Sequence, residues 1–159
     1  MAQLQNAGKE ANAGKEPDAW QGLPVGRHVL VAEDDPAMRE VFASVLSERG
    51  YQVTLVSNGT ELWELLGPRE SSCGFDLVVT DVQMPGISGL DVIDRIRTIG
   101  DTTPVVIVTA FPREEVRQRA RGLEVRLLAK PFELETLRSA VDWAIRANAP
   151  HQRRPAWSP

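Results

Sequence analysis

The sequence predicts one α/β domain: a doubly wound, five-stranded parallel sheet with helices on both faces. Strand-like and helix-like segments alternate five times between Arg27 and Ala147. Two strand segments, "DLVVT" and "PVVIVTA", are apolar almost throughout, the pattern of parallel strands covered on both sides. Helical patterns, not hairpin turns, separate consecutive strands.

The first unit opens with the β-branched run "HVLVAE". In "PAMREVFASVLSERG" Met38, Val41, Phe42, Val45 and Leu46 recur at helical spacing and are expected on one inward face. Asp35 is the expected cap of this helix, with Pro36 in its first turn and Gly50 closing it. "YQVTLV" is the second strand. The short helix "NGTELWELLG" follows, with Asn58 and Glu61 at capping-box spacing. After "DLVVT", the helix "SGLDVIDRIR" is capped by Ser88, with Asp91 three residues on. "PVVIVTA", "PREEVRQRARG", "VRLLA" and "ELETLRSAVDWAIRA" complete the five units. In the last helix Leu134, Leu137, Val141 and Ile145 fall on one face. Trp143 points away from it and is expected to be partly exposed.

At 159 residues the chain suffices for one domain with a real core. A net charge of −4 argues against nucleic acid and against acidic membranes as partners. The single cysteine, Cys73, excludes an internal disulfide framework and a cysteine-built zinc site, and suits a reducing compartment. No apolar run approaches a membrane span and no signal-peptide pattern follows the Met, so a cytoplasmic protein is expected. Residues 1–26 carry the repeat "NAGKEANAGKE" and read as a flexible leader. Its lysines are followed by Glu10 and Glu16, so it is no phosphate-binding loop. The domain is expected over residues 27–147, and the Pro-rich residues 148–159 read as a disordered tail.

In a doubly wound sheet the functional crevice lies outside the carboxyl ends of the strands. The first strand ends in Glu33 and Asp34, the third in Asp81, the fourth in Thr109 and the fifth in Lys130. The fold therefore brings three carboxylates, a hydroxyl and an ammonium to one rim. Three carboxylates without His or Cys suit a hard divalent cation, and Mg2+ favours carboxylates, water and phosphate oxygens. Such a cation beside a hydroxyl and an ammonium makes a phosphoryl-transfer site, in which one carboxylate can serve as nucleophile while the others hold the metal.

In order, "VLVAEDDPAMRE", "DLVVTDVQMPGISGLDVI", "VVIVTAF" and "LLAKPF" resemble the receiver domain of bacterial two-component response regulators. The resemblance implies a flavodoxin-like (βα)5 fold with strand order 2-1-3-4-5. It implies that Asp81 is the phospho-acceptor, receiving a phosphoryl group from a histidine of a sensor kinase or a histidine phosphotransfer protein. Asp34 would ligate Mg2+ directly and Glu33 through water, with the main-chain carbonyl of Gln83 as a further ligand. Thr109 and Lys130 would sense the phosphoryl group, and the Lys130–Pro131 bond would be cis. Three departures from the family stand out: Glu33 where Asp is usual, Leu127 where an aromatic ring is usual, and a Thr109-to-Lys130 stretch one residue short.

The chain thus reads as a stand-alone receiver, a switch rather than a turnover enzyme, whose output is a downstream protein partner or onward phosphotransfer. Trp143, near Arg138 and Arg146, is a candidate anchor for such a partner or for a homodimer. Two alternatives were weighed against this. An aspartyl-phosphate phosphatase would need an acid two residues after the nucleophile, where Gln83 stands. A non-phosphorylated interaction module would be marked by a missing acid, threonine or lysine, and none is missing.

Overall fold

A computed structural model describes residues 26–68 and 74–147. Cys73, the leader repeat and the tail lie outside the described residues. Five strands, β1 (His28–Ala32), β2 (Gln52–Val56), β3 (Leu77–Asp81), β4 (Val105–Thr109) and β5 (Arg126–Ala129), alternate with five helices. The helices are α1 (Pro36–Ser47), α2 (Gly59–Leu66), α3 (Gly89–Thr98), α4 (Glu114–Gly122) and α5 (Leu134–Ala147). All pairings are parallel and the strand order is β2-β1-β3-β4-β5, as expected.

Alternation along each strand builds two cores. Val29 and Val31 of β1, Leu77 and Val79 of β3, and Val106 and Val108 of β4 meet Phe42 and Leu46 of α1 and Leu137 and Val141 of α5. Leu30, Val78 and Ile107 point the other way, onto Leu62 of α2 and Leu90, Ile93 and Ile96 of α3. Every residue of β3 and β4 is buried, which is why those segments read as unbroken apolar runs. Full burial of one such Val, Leu or Ile stabilises by roughly 1.5–3 kcal/mol.

The capping residues behave as their chemistry dictates. Asp35 Oδ1 accepts from Met38 N at 2.9 Å, Asn58 Oδ1 from Glu61 N at 2.9 Å, and Ser88 Oγ from Asp91 N at 3.1 Å. Glu61 reaches back to the N–H of Ser57, one residue before the cap, at 2.8 Å. This differs from the expected capping box, in which the acid would meet the amide of Asn58 itself.

Two residues expected on inward faces lie outside them. Val41 is 38% exposed, because Phe42, Val45 and Leu46 already fill the stripe of α1 that meets the sheet. Leu134 is 43% exposed at the first position of α5. Phe132, two residues earlier, covers the core instead, stacked on Phe42 with ring centroids 6.1 Å apart. Trp143 is 50% exposed, as its position on α5 predicts. The guanidinium of Arg126 lies over its ring, 5.5 Å from the centroid.

Candidate functional site at the carboxyl ends of the strands

Strand order turns four separate chain positions into one pocket. At the end of β1, Glu33 N donates to Val56 O at 3.2 Å, which carries the ladder one residue past the strand. The Glu33 side chain is therefore turned inward, and the residue is 1% exposed. The chain then turns sharply into α1, so Asp34 lies exposed at the mouth and Asp35 is used as the cap. Asp81, the last residue of β3, is 6% exposed. Its Oδ1 accepts from the amide of Gln83 at 2.9 Å, and its carbonyl accepts from Thr80 Oγ1 at 2.9 Å. Gly89 is required beneath it: a Cβ there would overlap the Asp81 carbonyl oxygen.

Lys130 leaves β5 across a cis peptide bond to Pro131, as expected. Its amide donates to Thr109 O at 2.7 Å, which ties the ends of β4 and β5 together. Lys130 Nζ donates to Glu33 Oε2 at 2.8 Å and to Asp81 Oδ2 at 2.5 Å. Thr109 is 1% exposed, and its Oγ1 accepts from the amide of Phe111 at 3.1 Å. One carboxylate oxygen from each of Glu33, Asp34 and Asp81 lies within 4.8 Å of the others.

The electrostatics follow from burial and pairing. Burial pushes the Glu33 carboxyl above its usual range, and the hydrogen bond from Lys130 only partly opposes this. Burial alone would lower the Lys130 ammonium. Its hydrogen bonds to Asp81 and Glu33 outweigh that effect and hold it above the ordinary lysine value. Two carboxylates thus share one ammonium, and a third stands at the open side. The donor set contains only oxygen, from hard carboxylates, and it fits Mg2+ better than a softer metal.

All six residues singled out in the sequence lie at this edge. Glu33, Asp34, Asp81 and Lys130 form the charged cluster, Thr109 sits at the neighbouring strand end, and Gln83 contributes an amide to Asp81. Two contacts were not foreseen: the Phe111 amide on Thr109, and Arg39 Nη1 on the carbonyl of Glu33 at 2.6 Å. The second had a faint signal, since a cation near a helix N-terminus opposes the helix dipole.

A flavodoxin-like sheet with a half-buried lysine and a cluster of three carboxylates at its carboxyl edge defines the class of small α/β signal receivers. The chain belongs to the response regulator receiver domain family, whose model matches residues 29–142. It is similar to the transcriptional regulatory protein YkoG of Bacillus subtilis, with 36% identity over 124 residues, 76% of this chain and 52% of the relative. The response regulator MprA of Mycobacterium sp. (strain KMS) is 36% identical over 133 residues, 82% of this chain and 54% of that protein. The chain therefore spans about half the length of these relatives. Among solved structures, the non-phosphorylated HemR receiver domain of Leptospira biflexa has a TM-score of 0.68 at 26% identity, covering 82% of this chain and 99% of that one. The Thermotoga maritima response regulator TrrA, solved with Mg2+ and BeF, has a TM-score of 0.64 at 29% identity, covering 74% and 98%.

Proposed function

We propose that this receiver takes a phosphoryl group on Asp81 from a phosphohistidine of a sensor kinase or histidine phosphotransfer protein. The supporting observation is the convergence of Glu33, Asp34 and Asp81 within 4.8 Å, with Lys130 Nζ bonded to Asp81. An Asp81 carboxylate oxygen attacks phosphorus in line with the P–N bond of the donor. The P–O bond forms, the P–N bond breaks, and its electron pair returns to the imidazole. Gln83 N–H holds Oδ1 of Asp81 in place, which leaves the other oxygen, bonded to Lys130, as the one whose charge is balanced by a mobile group. As the acyl phosphate forms, Lys130 and the Thr109 hydroxyl donate to phosphoryl oxygens.

Asp34, Asp81 and the Gln83 carbonyl would hold Mg2+, with Glu33 acting through water, and the ion would supply the positive charge that offsets the clustered acids and the incoming phosphoryl oxygens. The chain then acts as a switch, presenting a changed face to a protein partner or passing the phosphoryl group on.

The test is intact mass measurement after incubation with acetyl phosphate, with Mg2+ or with excess chelator. One added phosphoryl group is expected with Mg2+ and none with chelator. Persistent labelling in Asp81→Asn would refute the assignment of the acceptor.

A further inference from the structure

We infer that Arg39 is a positioning residue of the acidic pocket: its guanidinium clamps the peptide carbonyls of Glu33 and Asp34 and so fixes where their carboxylates stand. This rests on the phosphoryl-acceptor reading above. Successive side chains of a strand point to opposite faces. Glu33 and Asp34 are adjacent in sequence, one buried and one exposed, yet both place a carboxylate oxygen in the same cluster with Asp81. The backbone must leave strand geometry between them, and the ladder of β1 ends with the bond from Glu33 N to Val56 O. The first backbone bond within α1 is from Arg39 N to Asp35 O, so the carbonyls of Glu33 and Asp34 lie upstream of the helix's own acceptors.

The Arg39 side chain fills that gap. Its Nη1 lies 2.6 Å from Glu33 O and 3.4 Å from Asp34 O. A charged donor on a half-buried carbonyl makes a strong hydrogen bond, and a guanidinium can serve neighbouring carbonyls where an ammonium is a point charge. Arg39 also has a charged neighbour, Glu61. The Glu61 carboxyl is held below its usual range first by the Ser57 amide, with a smaller contribution from Arg39.

Positioning and simple charge make opposite predictions. A cation close to the pocket repels Mg2+, so if charge alone mattered, neutralising Arg39 would tighten Mg2+ binding. If Arg39 holds the carbonyls, its loss frees the turn, scatters the two carboxylates and weakens binding.

The test is calorimetric Mg2+ titration of the unphosphorylated full chain, with amide hydrogen exchange at Asp34 and Asp35. Arg39→Gln is expected to raise the Mg2+ dissociation constant about three- to tenfold, a part of what one charge-assisted hydrogen bond contributes, because the carboxylates are loosened and not removed. Exchange at both amides should quicken, and Arg39→Lys should recover part of each effect. Unchanged or tighter Mg2+ binding in a folded Arg39→Gln chain overturns the proposal. If that variant does not fold, Arg39→Lys decides, and a dissociation constant and exchange rates equal to wild type overturn it. A wild-type chain that takes up no Mg2+ overturns the underlying reading instead. The exchange arm still tests the clamp: rates unmoved in Arg39→Gln would refute it.

Discussion

Lys130→Met removes the one ammonium bonded to both buried carboxylates while keeping an apolar stem of similar length. In the intact protein Nζ lies 2.8 Å from Glu33 Oε2, and the Lys130 side chain is only 16% exposed. At an effective dielectric near 20, the Glu33 contact alone is worth roughly 6 kcal/mol of attraction, before the cost of desolvating either ion. Breaking a buried pair by deleting one partner typically costs about 3–5 kcal/mol, because the other charge is left uncompensated. The pocket opens to solvent on the Asp34 side, and water reaching the two carboxylates offsets part of that cost, so we expect the lower end, about 3 kcal/mol, near neutral pH without metal.

The loss should depend on pH, with a defined sign. Glu33 already has a raised pKa, so the native state holds its proton longer than the unfolded chain does. Its contribution to stability is therefore greatest below the ordinary Glu value and declines as pH rises through the raised one. Removing Lys130 deletes two of the three interactions that lower this pKa and leaves only the hydrogen bond from the Asp35 amide, so in the variant the decline extends further upward. Lys130, raised above the usual lysine value, contributes fully below that value and stays constant over this range in the wild type. The difference in stability should thus grow from acidic to slightly alkaline pH. Urea denaturation with chelator, at pH values from about 5 to about 8, measures it. Added Mg2+ should restore more stability to the variant than to wild type, because it replaces the missing cation. A pH-independent loss, or a variant as stable as wild type at the alkaline end, would refute the reasoning.

Gly89→Ala should cost more than about 2 kcal/mol in the same assay and impair Asp81 labelling, since the new Cβ overlaps backbone beneath Asp81; wild-type stability would disprove the close packing. Tyr51→Phe should be neutral or stabilising by about 1 kcal/mol, because the Tyr51 hydroxyl is buried with no hydrogen-bond partner among the described residues; a clear loss would reveal a bridging water. Burial holds the Asp142 carboxyl above its usual range, with Arg49 partly opposing it. Its contribution therefore falls as pH rises from the ordinary Asp value through the raised one, and Asp142→Asn should flatten that part of the stability profile; an unchanged slope counts against it. In hydrogen exchange with and without a phosphoryl mimic, the loop from Ala110 to Arg113 should change more than β5; changes centred on Leu127 and α5 would contradict this.

What could be read from the sequence was whatever a short period decides. Short apolar or β-branched runs gave the strands and helical spacing gave the helices, because each registers burial by the layers that flank it. The site was legible for a related reason: a parallel sheet collects strand ends at one edge, so Glu33, Asp81, Thr109 and Lys130 needed only their strands identified. Val41 and Leu134 were misplaced where a helix stripe meets a rim, since periodicity gives an angle but not the width of the surface covering it. The Arg39 contact left only a faint signal and the Phe111 contact none, for a different reason. Each ties a side chain or amide to a turn, and turn geometry follows from tertiary packing rather than from period.

Those turn contacts bear on how a signal would leave the pocket. The switch needs two states that differ in free energy, and Leu127, half-buried beside the second core, has no ring or hydroxyl with which to exchange one bonded position for another. The Thr109 hydroxyl does have such a partner, the Phe111 amide. Any shift of that hydroxyl toward a phosphoryl group must stretch or drag this bond. The segment it would drag is lightly held. Phe111 is 54% exposed, Arg113 caps α4 without a side-chain hydrogen bond, and Ala120 is the buried residue of that helix. Arg119 pins α4 to Asp91 of α3 at 2.8 Å, but both side chains are more than a third exposed. An ion pair that open contributes little, so it resists a displacement of α4 only weakly. If Asp81 is phosphorylated as proposed, the path of least resistance would therefore run through Thr109 into the β4–α4 loop rather than across the sheet to β5, where Leu128 is packed into the first core and the Lys130 amide is bonded to Thr109 O.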